Sequence, residues 1–213
     1  MRATLSLLRQ WWVSWNLRLH YAGDRRALNR LHWLRDPWRL RTSEEEVRFE
    51  ATSRIIREQI GQHFGAILEI GCAEGLQTGY LAPLADSILG IDVSKPAIRR
   101  ARLRGIPNSR FEATDPAQLL RRAEPLVFDL VTACEVLYYV PGFEGTVEAM
   151  KRLGRCCVVT YYEGQADLLD PYFGAGEGYQ TEIIQGPKFL WKLVWWRNTW
   201  LDEAPQPSQP RLH

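Results

Sequence analysis

The chain has 213 residues, which suits one α/β domain with a self-sufficient core and an additional arm and makes a second full domain improbable. The net charge is only +2, but residues 1–41 contain nine arginines against two aspartates, so this segment carries +7 and the remainder −5. Four cysteines without paired spacing disfavour a metal site or disulfides. We find no signal-peptide or membrane-spanning pattern, so we expect a cytoplasmic protein, with peripheral membrane contact as an option.

The first segment predicts an amphipathic helix over about residues 4–21. Its apolar positions recur every three or four residues and form one stripe: Leu5, Leu8, Trp12, Trp15 and Leu19. Arg2, Arg9 and Asn16 lie off that stripe. The body of the protein, an anionic membrane interface or a partner chain could cover the stripe. Nucleic acid is less favoured, because the rest of the chain is acidic and no nucleic-acid module is recognisable.

A second helix is predicted beyond a proline-containing turn. Pro37 should force Asp36 out of helical geometry. Ser43 and Glu46 fit a capping box that opens the helix, which should end at Gly61. Its inward-facing positions are expected to be Val47, Ala51, Ile55 and Ile60.

The stretch over residues 67–92 organises the predicted fold. An apolar run indicates a buried parallel strand, Gly71 and Gly75 then mark a tight turn, and a helix leads to a second strand at residues 88–91. Glycine permits positive φ and close approach of a ligand to the main chain. Asp92 lies 23 positions after Glu69, where a doubly wound fold places an acid that binds two ribose hydroxyls. A site for a nucleotide-like ligand is therefore predicted here.

The remaining elements complete a seven-stranded sheet. Further strands are predicted at residues 110–113, 126–134, 155–161, 179–184 and 189–196, and helices at 95–104, 117–122 and 143–153. Gly174, Gly176 and Gly178 predict a flexible loop over the same sheet edge. The predicted organisation is a basic, Trp-rich arm over residues 1–43, one domain over 44–201 and a disordered, proline-containing tail over 202–213.

The glycine turn does not fit the dinucleotide-binding fingerprint, because Leu76 replaces the third glycine, which disfavours a hydride-transferring enzyme. Glu69, Gly71, Ala73 and Gly75 instead resemble motif I of the class I S-adenosylmethionine-dependent methyltransferases. A glycine-bearing turn of any α/β protein is the simpler alternative.

Two further stretches resemble the same methyltransferases. Residues 128–139, F-D-L-V-T-A-C-E-V-L-Y-Y, are similar to the motif IV region. The D-P-W stretch at residues 36–38, followed by an acid-led helix, resembles the segment before motif I in nodulation-type sugar N-methyltransferases, in which the arm covers the cofactor. The alternative is a capped loop with a packed tryptophan.

The resemblance implies a doubly wound, seven-stranded, mostly parallel sheet of the Rossmann-like methyltransferase type, with S-adenosylmethionine as cofactor and no metal. It implies cofactor contacts at Trp38, Glu69, Gly71, Cys72, Ala73, Gly75, Asp92, Val93, Thr114, Asp115 and Glu135. Substrate contacts are implied at Tyr138, Tyr139 and Tyr162. Asp115 would accept the adenine amino group, and its alternative role is the N-cap of the next helix. The less favoured alternative is that Glu135 is a helix N-cap and that Tyr138 and Tyr139 are ordinary packed side chains.

An amine acceptor must be neutral when it attacks, so a carboxylate or phenol beside it is needed to take the proton. The candidates are Glu135, Tyr161 and Glu163. The histidines lie outside the strand ends, which disfavours a histidine base, although His20 or His32 could fold back over the pocket.

The predicted function is methyl transfer to N or O of a small polar acceptor, for which a sugar or glycan is the candidate. The alternative is a non-catalytic adaptor that keeps the cofactor fold and acts through its basic, Trp-rich arm at a membrane or a partner.

Overall fold

A seven-stranded sheet forms the centre of this computed structural model, which describes residues 2–21, 24, 26–123, 126–173 and 178–199. The strands are β1 (Phe64–Ile70), β2 (Ala85–Asp92), β3 (Ser109–Ala113), β4 (Phe128–Cys134), β5 (Gly154–Tyr162), β6 (Gln180–Gln185) and β7 (Leu190–Arg197). Their order is β3-β2-β1-β4-β5-β7-β6, and β7 runs antiparallel to both of its neighbours. The paired strands from β1 to β5 are parallel, so the predicted mostly parallel sheet is confirmed.

Helices cover both faces of the sheet. They are α1 (Arg2–Tyr21), α2 (Ala27–Leu31), α3 (Ser43–Ile55), α4 (Leu76–Leu81), α5 (Lys95–Arg102), α6 (Pro116–Leu120), α7 (Glu144–Leu153) and α8 (Ala166–Phe173). Helix α3 continues into a π-helical turn, Ile56–Ile60, and 3₁₀ turns occur at Ala82–Leu84, Leu137–Tyr139 and Glu163–Gln165. The sequence analysis did not predict α2, which has five residues, or α8, which contains a proline.

Successive strand residues enter two separate apolar clusters. Leu68 and Val131 belong to a cluster that includes buried residues of α6, α7 and α8. Ile67 and Leu130 belong to a cluster on the other face that includes residues of α3 and α4. Because both faces are covered, the central strands β1, β4 and β5 are largely buried, whereas the edge strands β3 and β6 are more polar and partly exposed.

The predicted N-terminal helix exists, and the body of the protein covers its apolar stripe only in part. Leu8 and Trp15 are exposed, whereas Asn16, which was predicted to lie off the stripe, is buried. The Asn16 Oδ1 accepts a hydrogen bond from Arg30 Nε at 3.0 Å, so a polar contact helps to fix α1 against α2. The described body of the protein, one of the three surfaces predicted to cover the stripe, therefore does not cover Leu8 and Trp15, while the side chain of Leu5 lies outside the described part of the structure.

The start and inner face of α3 also differ from prediction. The N-cap is Thr42 and not Ser43, because the Thr42 Oγ1 accepts a hydrogen bond from the Glu45 N–H at 3.4 Å. The buried residues of this helix are Arg48, Phe49, Thr52, Ser53 and Ile55. Val47 and Ala51 are only half-buried, since the inner face is rotated by one residue and brings a charged side chain inward.

Most other predictions about the elements hold. Their boundaries differ from the predicted ones by three residues or fewer, and the π-helical turn after α3 ends before Gly61. The terminal hairpin of β6 and β7 is confirmed. Gly174, Gly176 and the predicted tail lie outside the described residues. No described helix has the length and apolar character needed to cross a bilayer.

Leu68→Ala tests the central packing of the sheet. Leu68 is 0% exposed in β1, so the truncation should lower the free energy of unfolding by about 2–5 kcal/mol. The same change at Leu103, which is 82% exposed, should alter it by no more than about 0.5 kcal/mol. Urea unfolding measures both variants, and equal midpoints would contradict this packing.

Candidate functional site

A cavity of about 310 Å³ lies at the carboxyl ends of β1, β2 and β4. In parallel α/β sheets, ligands bind at this edge. The predicted site residues that line the cavity are Trp38, Glu69, Gly71, Cys72, Ala73, Asp92, Val93, Thr114, Asp115, Glu135, Tyr138 and Tyr139. Gly75, Tyr161, Tyr162 and Glu163 are not among its lining residues. The cavity has the size of a small-molecule site.

The turn after β1 has a backbone that few residues other than glycine adopt. Gly71 has φ +70°, and a Cβ added there would lie 2.3 Å from the Val136 Cγ2. Ala73 also has positive φ, at +47°. The N–H groups of Gly71 and Cys72 donate to the Ile91 carbonyl oxygen at 2.8 and 3.0 Å. These bonds hold the turn beside the end of β2.

The Asp92 carboxylate is directed towards this turn. Its Oδ2 accepts a hydrogen bond from the Ala73 N–H at 3.1 Å, and its Oδ1 accepts one from the Ser94 N–H at 2.7 Å. Burial raises the pKa of Asp92 to about 6, although both N–H donors oppose that rise. Each carboxylate oxygen keeps a lone pair that could accept a hydrogen bond from a ligand.

Gly75 supports the turn from behind the cavity. It has φ +74° and is the N-cap residue of α4. An added Cβ would lie 3.2 Å from the Phe111 ring and 3.3 Å from the Ala101 Cβ. The need for glycine at this position therefore comes from backbone conformation and packing, whereas the prediction placed Gly75 in contact with the cofactor.

Glu69 lies on the floor of the cavity and is buried. The Thr78 hydroxyl donates a short hydrogen bond to its Oε2. Burial raises the pKa of Glu69 to about 7, while the Thr78 bond and the charge of Arg48 oppose the rise. The carboxyl group therefore exchanges its proton near neutral pH.

The sequence analysis missed a buried arginine in the cavity. Arg48 donates from Nε and Nη2 to the Glu45 Oε2 at 2.9 and 2.7 Å, and from Nη1 to the Gln77 Oε1 at 3.1 Å. Burial opposes its charge, but the carboxylates of Glu135 and Glu45 outweigh this and raise the Arg48 pKa. The spacing of Glu45 and Arg48 by three residues was the only available signal.

The end of α1 and the loop after α2 form one wall of the cavity. His20 Nε2 lies 2.7 Å from the Tyr139 carbonyl oxygen, and the Tyr21 hydroxyl donates to the Tyr138 carbonyl oxygen at 2.7 Å. The Trp38 and Tyr139 rings are 4.7 Å apart between centroids. His20 thus folds back over the cavity, as the sequence analysis allowed.

His32 also lines the cavity and is buried there. Its Nε2 accepts a hydrogen bond from Trp38 Nε1 at 3.4 Å, so the ring proton lies on Nδ1. Burial and the charge of Arg100 lower the pKa of His32 to about 4, which keeps the ring neutral. Among the described residues, His32 Nδ1 and Gln77 Nε2 are buried donors without a partner. Both residues line the cavity, so a polar ligand could satisfy them.

Polar contacts fasten the arm to the glycine turn. The Asp36 N–H donates to the Glu74 Oε1 at 3.1 Å, and Arg100 Nε forms an ion pair with the same oxygen at 3.2 Å. Arg100 also donates to the His32 carbonyl oxygen. Asp36 has φ +51°, outside right-handed helical geometry as predicted. The arm is therefore part of the site.

Glu135 directly follows β4 and contacts Tyr138, one of the predicted substrate tyrosines. It has φ +57°. Its Oε2 accepts from the Tyr138 hydroxyl at 2.8 Å and its Oε1 from the Thr160 hydroxyl at 3.1 Å. Burial raises the pKa of Glu135, an effect that the charge of Arg48 opposes. Two hydrogen bonds hold this carboxyl group at the cavity wall.

Asp115 is the N-cap residue of α6 and also lines the cavity. Its Oδ1 accepts from the Gln118 N–H at 2.8 Å, and its Oδ2 accepts from the Gln118 side-chain amide at 2.8 Å. The predicted capping role is confirmed, and the position is compatible with ligand contact as well.

Three predicted residues at the end of β5 lie elsewhere. Tyr161 is buried, and its hydroxyl donates to Asp170 Oδ1 at 2.8 Å, away from the cavity. Glu163 is exposed. Tyr162 is half-buried, and its ring centroid lies 6.2 Å from that of Tyr138, behind the cavity wall. Neither Tyr161 nor Glu163 is placed to take a proton from a group inside the cavity.

Comparisons with known proteins agree with this geometry. The family model for Nodulation protein S (NodS) matches residues 21–158. Nodulation protein S of Bradyrhizobium diazoefficiens is 41% identical over 107 residues, which are 49% of this chain and 49% of that protein. The Ubiquinone biosynthesis O-methyltransferase of Paraburkholderia phymatum is 34% identical over 90 residues, 41% of this chain and 38% of that protein. The chain thus spans about half the length, or less, of these curated relatives.

Solved structures share the fold. The N-methyltransferase NodS from Bradyrhizobium japonicum, in complex with S-adenosyl-L-homocysteine, superposes with a TM-score of 0.61 at 25% identity and covers 87% of this chain and 98% of that chain. The plantazolicin methyltransferase, also in complex with S-adenosylhomocysteine, gives a TM-score of 0.60 at 15% identity over 87% of this chain and 99% of that chain, which shows the fold alone. Because the family model matches well over half of the chain, this protein belongs to the Nodulation protein S (NodS) family.

Proposed function

We propose that this protein is an S-adenosylmethionine-dependent methyltransferase that methylates a nitrogen or oxygen atom of a small polar acceptor. The observation that carries the proposal is the cavity in which the strained glycine turn and the Asp92 carboxylate lie side by side. Membership of the NodS family supports it. So does the S-adenosylhomocysteine bound to the NodS protein of Bradyrhizobium japonicum.

The donors and acceptors of the cavity fit the parts of this cofactor. The two oxygens of Asp92 are suited to accept hydrogen bonds from ribose hydroxyls. Arg48 and the unpartnered Gln77 Nε2 are suited to bind the carboxylate of its amino-acid portion. Asp115 and Thr114, which follow β3, are suited to the adenine edge, and Val93 offers an apolar surface to the ring.

The bound cofactor would supply a sulfonium methyl group, which is reactive without further activation. The task of the protein is then to align the acceptor in line with that group and to exclude water. The contacts of His20 and Tyr21 with the loop after β4, together with the Trp38 ring, close this side of the cavity.

The chain offers two proton acceptors beside the proposed reaction centre. Glu135 lines the cavity, and burial raises its pKa, which makes its carboxylate a stronger base. His20 also lines the cavity. If its neutral ring donates from Nε2 to the Tyr139 carbonyl oxygen, its Nδ1 is an acceptor. The positions of Tyr161 and Glu163 give no support for such a role.

The acceptor that this cavity suits best is a sugar or glycan. Tyr138, Tyr139 and Trp38 offer aromatic faces on which a sugar ring can stack, and Glu45 and Glu135 offer acceptors for its hydroxyl groups. Transfer of labelled methyl from S-adenosylmethionine to amino sugars, oligosaccharides and lipid-linked glycans tests the proposal. A labelled product supports an enzyme, whereas cofactor binding without any product would favour the adaptor alternative.

Gly71→Ala should weaken S-adenosylhomocysteine binding by at least about tenfold, because the new Cβ meets Val136 and the positive φ is strained. Isothermal titration calorimetry measures the affinity, and circular dichroism verifies folding. Gly79→Ala is the matched control, since Gly79 lies in α4 with nothing within 4 Å of an added Cβ. Equal affinities of the two variants would contradict the role of the turn.

The affinity for the cofactor should depend on pH through the ionisation of the Asp92 carboxyl group. Hydroxyl donors need the ionised carboxylate, so affinity should fall as the pH drops below about 6, by up to about tenfold per pH unit. The Asp92→Asn variant should bind the cofactor at least about tenfold more weakly at pH 8, and its affinity should not decrease as the pH drops below about 6. Titrations at several pH values measure both proteins. An unchanged affinity of the variant would exclude a ribose contact.

Glu135→Gln should reduce methyl transfer by about a hundredfold or more, because the amide cannot take a proton. Initial rates with the acceptor found in the screen measure this loss. Glu163→Gln is the matched control: it makes the same change at an exposed residue outside the cavity and should keep the normal rate. A full rate for Glu135→Gln would assign the proton transfer to another group, His20 first.

A further inference from the structure

Helix α1 exposes an apolar stripe that the other described residues of the chain do not cover. Leu8, Trp11 and Trp15 are 59%, 61% and 47% exposed, and their spacing of three and four residues puts them on one side of the helix. The two tryptophan rings stack, with centroids 5.8 Å apart and planes inclined by 16°. Large apolar side chains grouped on an exposed helix face mark an interaction surface.

The body of the protein already covers the face of α1 that adjoins the exposed residues. Asn16 is buried against α2 through its bond to Arg30, and Trp12 and Leu19 are half-buried. His20 contacts the loop after β4. Since these contacts fix the rotation of the helix, the stripe can be covered only by something outside the described structure.

The positive charge of the segment indicates that the surface that covers this stripe is anionic. Helix α1 contains Arg2, Arg9 and Arg18 and no acidic residue, and residues 1–41 carry a net charge of +7. Tryptophan prefers the interface between lipid headgroups and acyl chains, and arginine binds anionic headgroups there. A second copy of the helix is a poor partner, because it would bring like charges together with no acid of α1 to offset them.

We propose that α1 docks in the plane of an anionic lipid bilayer and buries Leu8, Trp11 and Trp15 in the interface. The helix is about 30 Å long, which gives the stripe several turns of contact. The last turn of α1 carries His20 and Tyr21, which contact the cavity wall, so docking brings the cavity close to the membrane surface. If the proposed methyl transfer is correct, the acceptor group would be presented at that surface, as on a lipid-linked glycan.

Sedimentation with vesicles tests the docking. The 213-residue chain should bind phosphatidylglycerol-containing vesicles, bind phosphatidylcholine vesicles at least about tenfold more weakly, and dissociate at high salt. The double variant Trp11→Ser with Trp15→Ser should lose at least about tenfold in affinity for the anionic vesicles. Trp33→Ser is the matched control, because Trp33 is 71% exposed but lies outside α1.

The affinity of each variant for S-adenosylhomocysteine is also measured by titration. Retained cofactor binding shows that the variant is folded. The two proposals are also tested separately, because membrane docking could occur even if the protein transfers no methyl group. Absence of binding to anionic vesicles, or equal binding by the double variant, would overturn the proposal. Light scattering that shows a dimer of the unaltered protein and a monomer of the double variant would assign the stripe to a second copy and overturn it too.

Discussion

The hydrogen bond from the Ala73 N–H to the Asp92 carboxylate joins the glycine turn to the end of β2, and the cavity depends on it. The turn has positive φ at Gly71, Ala73 and Gly75, and at Ala73, which is not a glycine, this conformation costs free energy that neighbouring contacts must offset. The Ile91 carbonyl oxygen supplies two further bonds to the same turn. The main-chain groups of this turn, which β2 holds in place, thus form the binding surface for a ligand.

Three carboxyl groups with raised pKa values, of which Glu69 is buried and Asp92 and Glu135 are half-buried, line this cavity together with the buried Arg48. Burial raises the pKa of Glu69 to about 7 and of Asp92 to about 6, and it also raises that of Glu135. Arg48 opposes these rises at Glu69 and Glu135, but a single cation leaves an excess of acidic groups. A ligand that carries positive charge would favour the ionised carboxylates and would be bound more tightly for that reason. The electrostatics of the site therefore agree with a sulfonium cofactor.

The sequence predicted the central sheet and the glycine turn because both follow local rules. Buried parallel strands are apolar runs, and the spacing of Gly71 and Gly75 specifies the turn. An apolar run does not show on which face of the sheet each side chain lies. Tyr161 was therefore predicted to lie in the cavity, although it packs against α8. The positions of His20 and Arg48 depend on contacts between distant segments, which no local pattern reveals.

The central claim is that the turn and Asp92 bind adenosine. A crystal structure of the protein with S-adenosylhomocysteine is the most direct measurement. The account predicts one ligand per chain in the cavity described above, with both ribose hydroxyls within hydrogen-bonding distance of the Asp92 carboxylate and the adenosine over residues 71–75. A ligand bound elsewhere, or ribose hydroxyls without contact to Asp92, would contradict it.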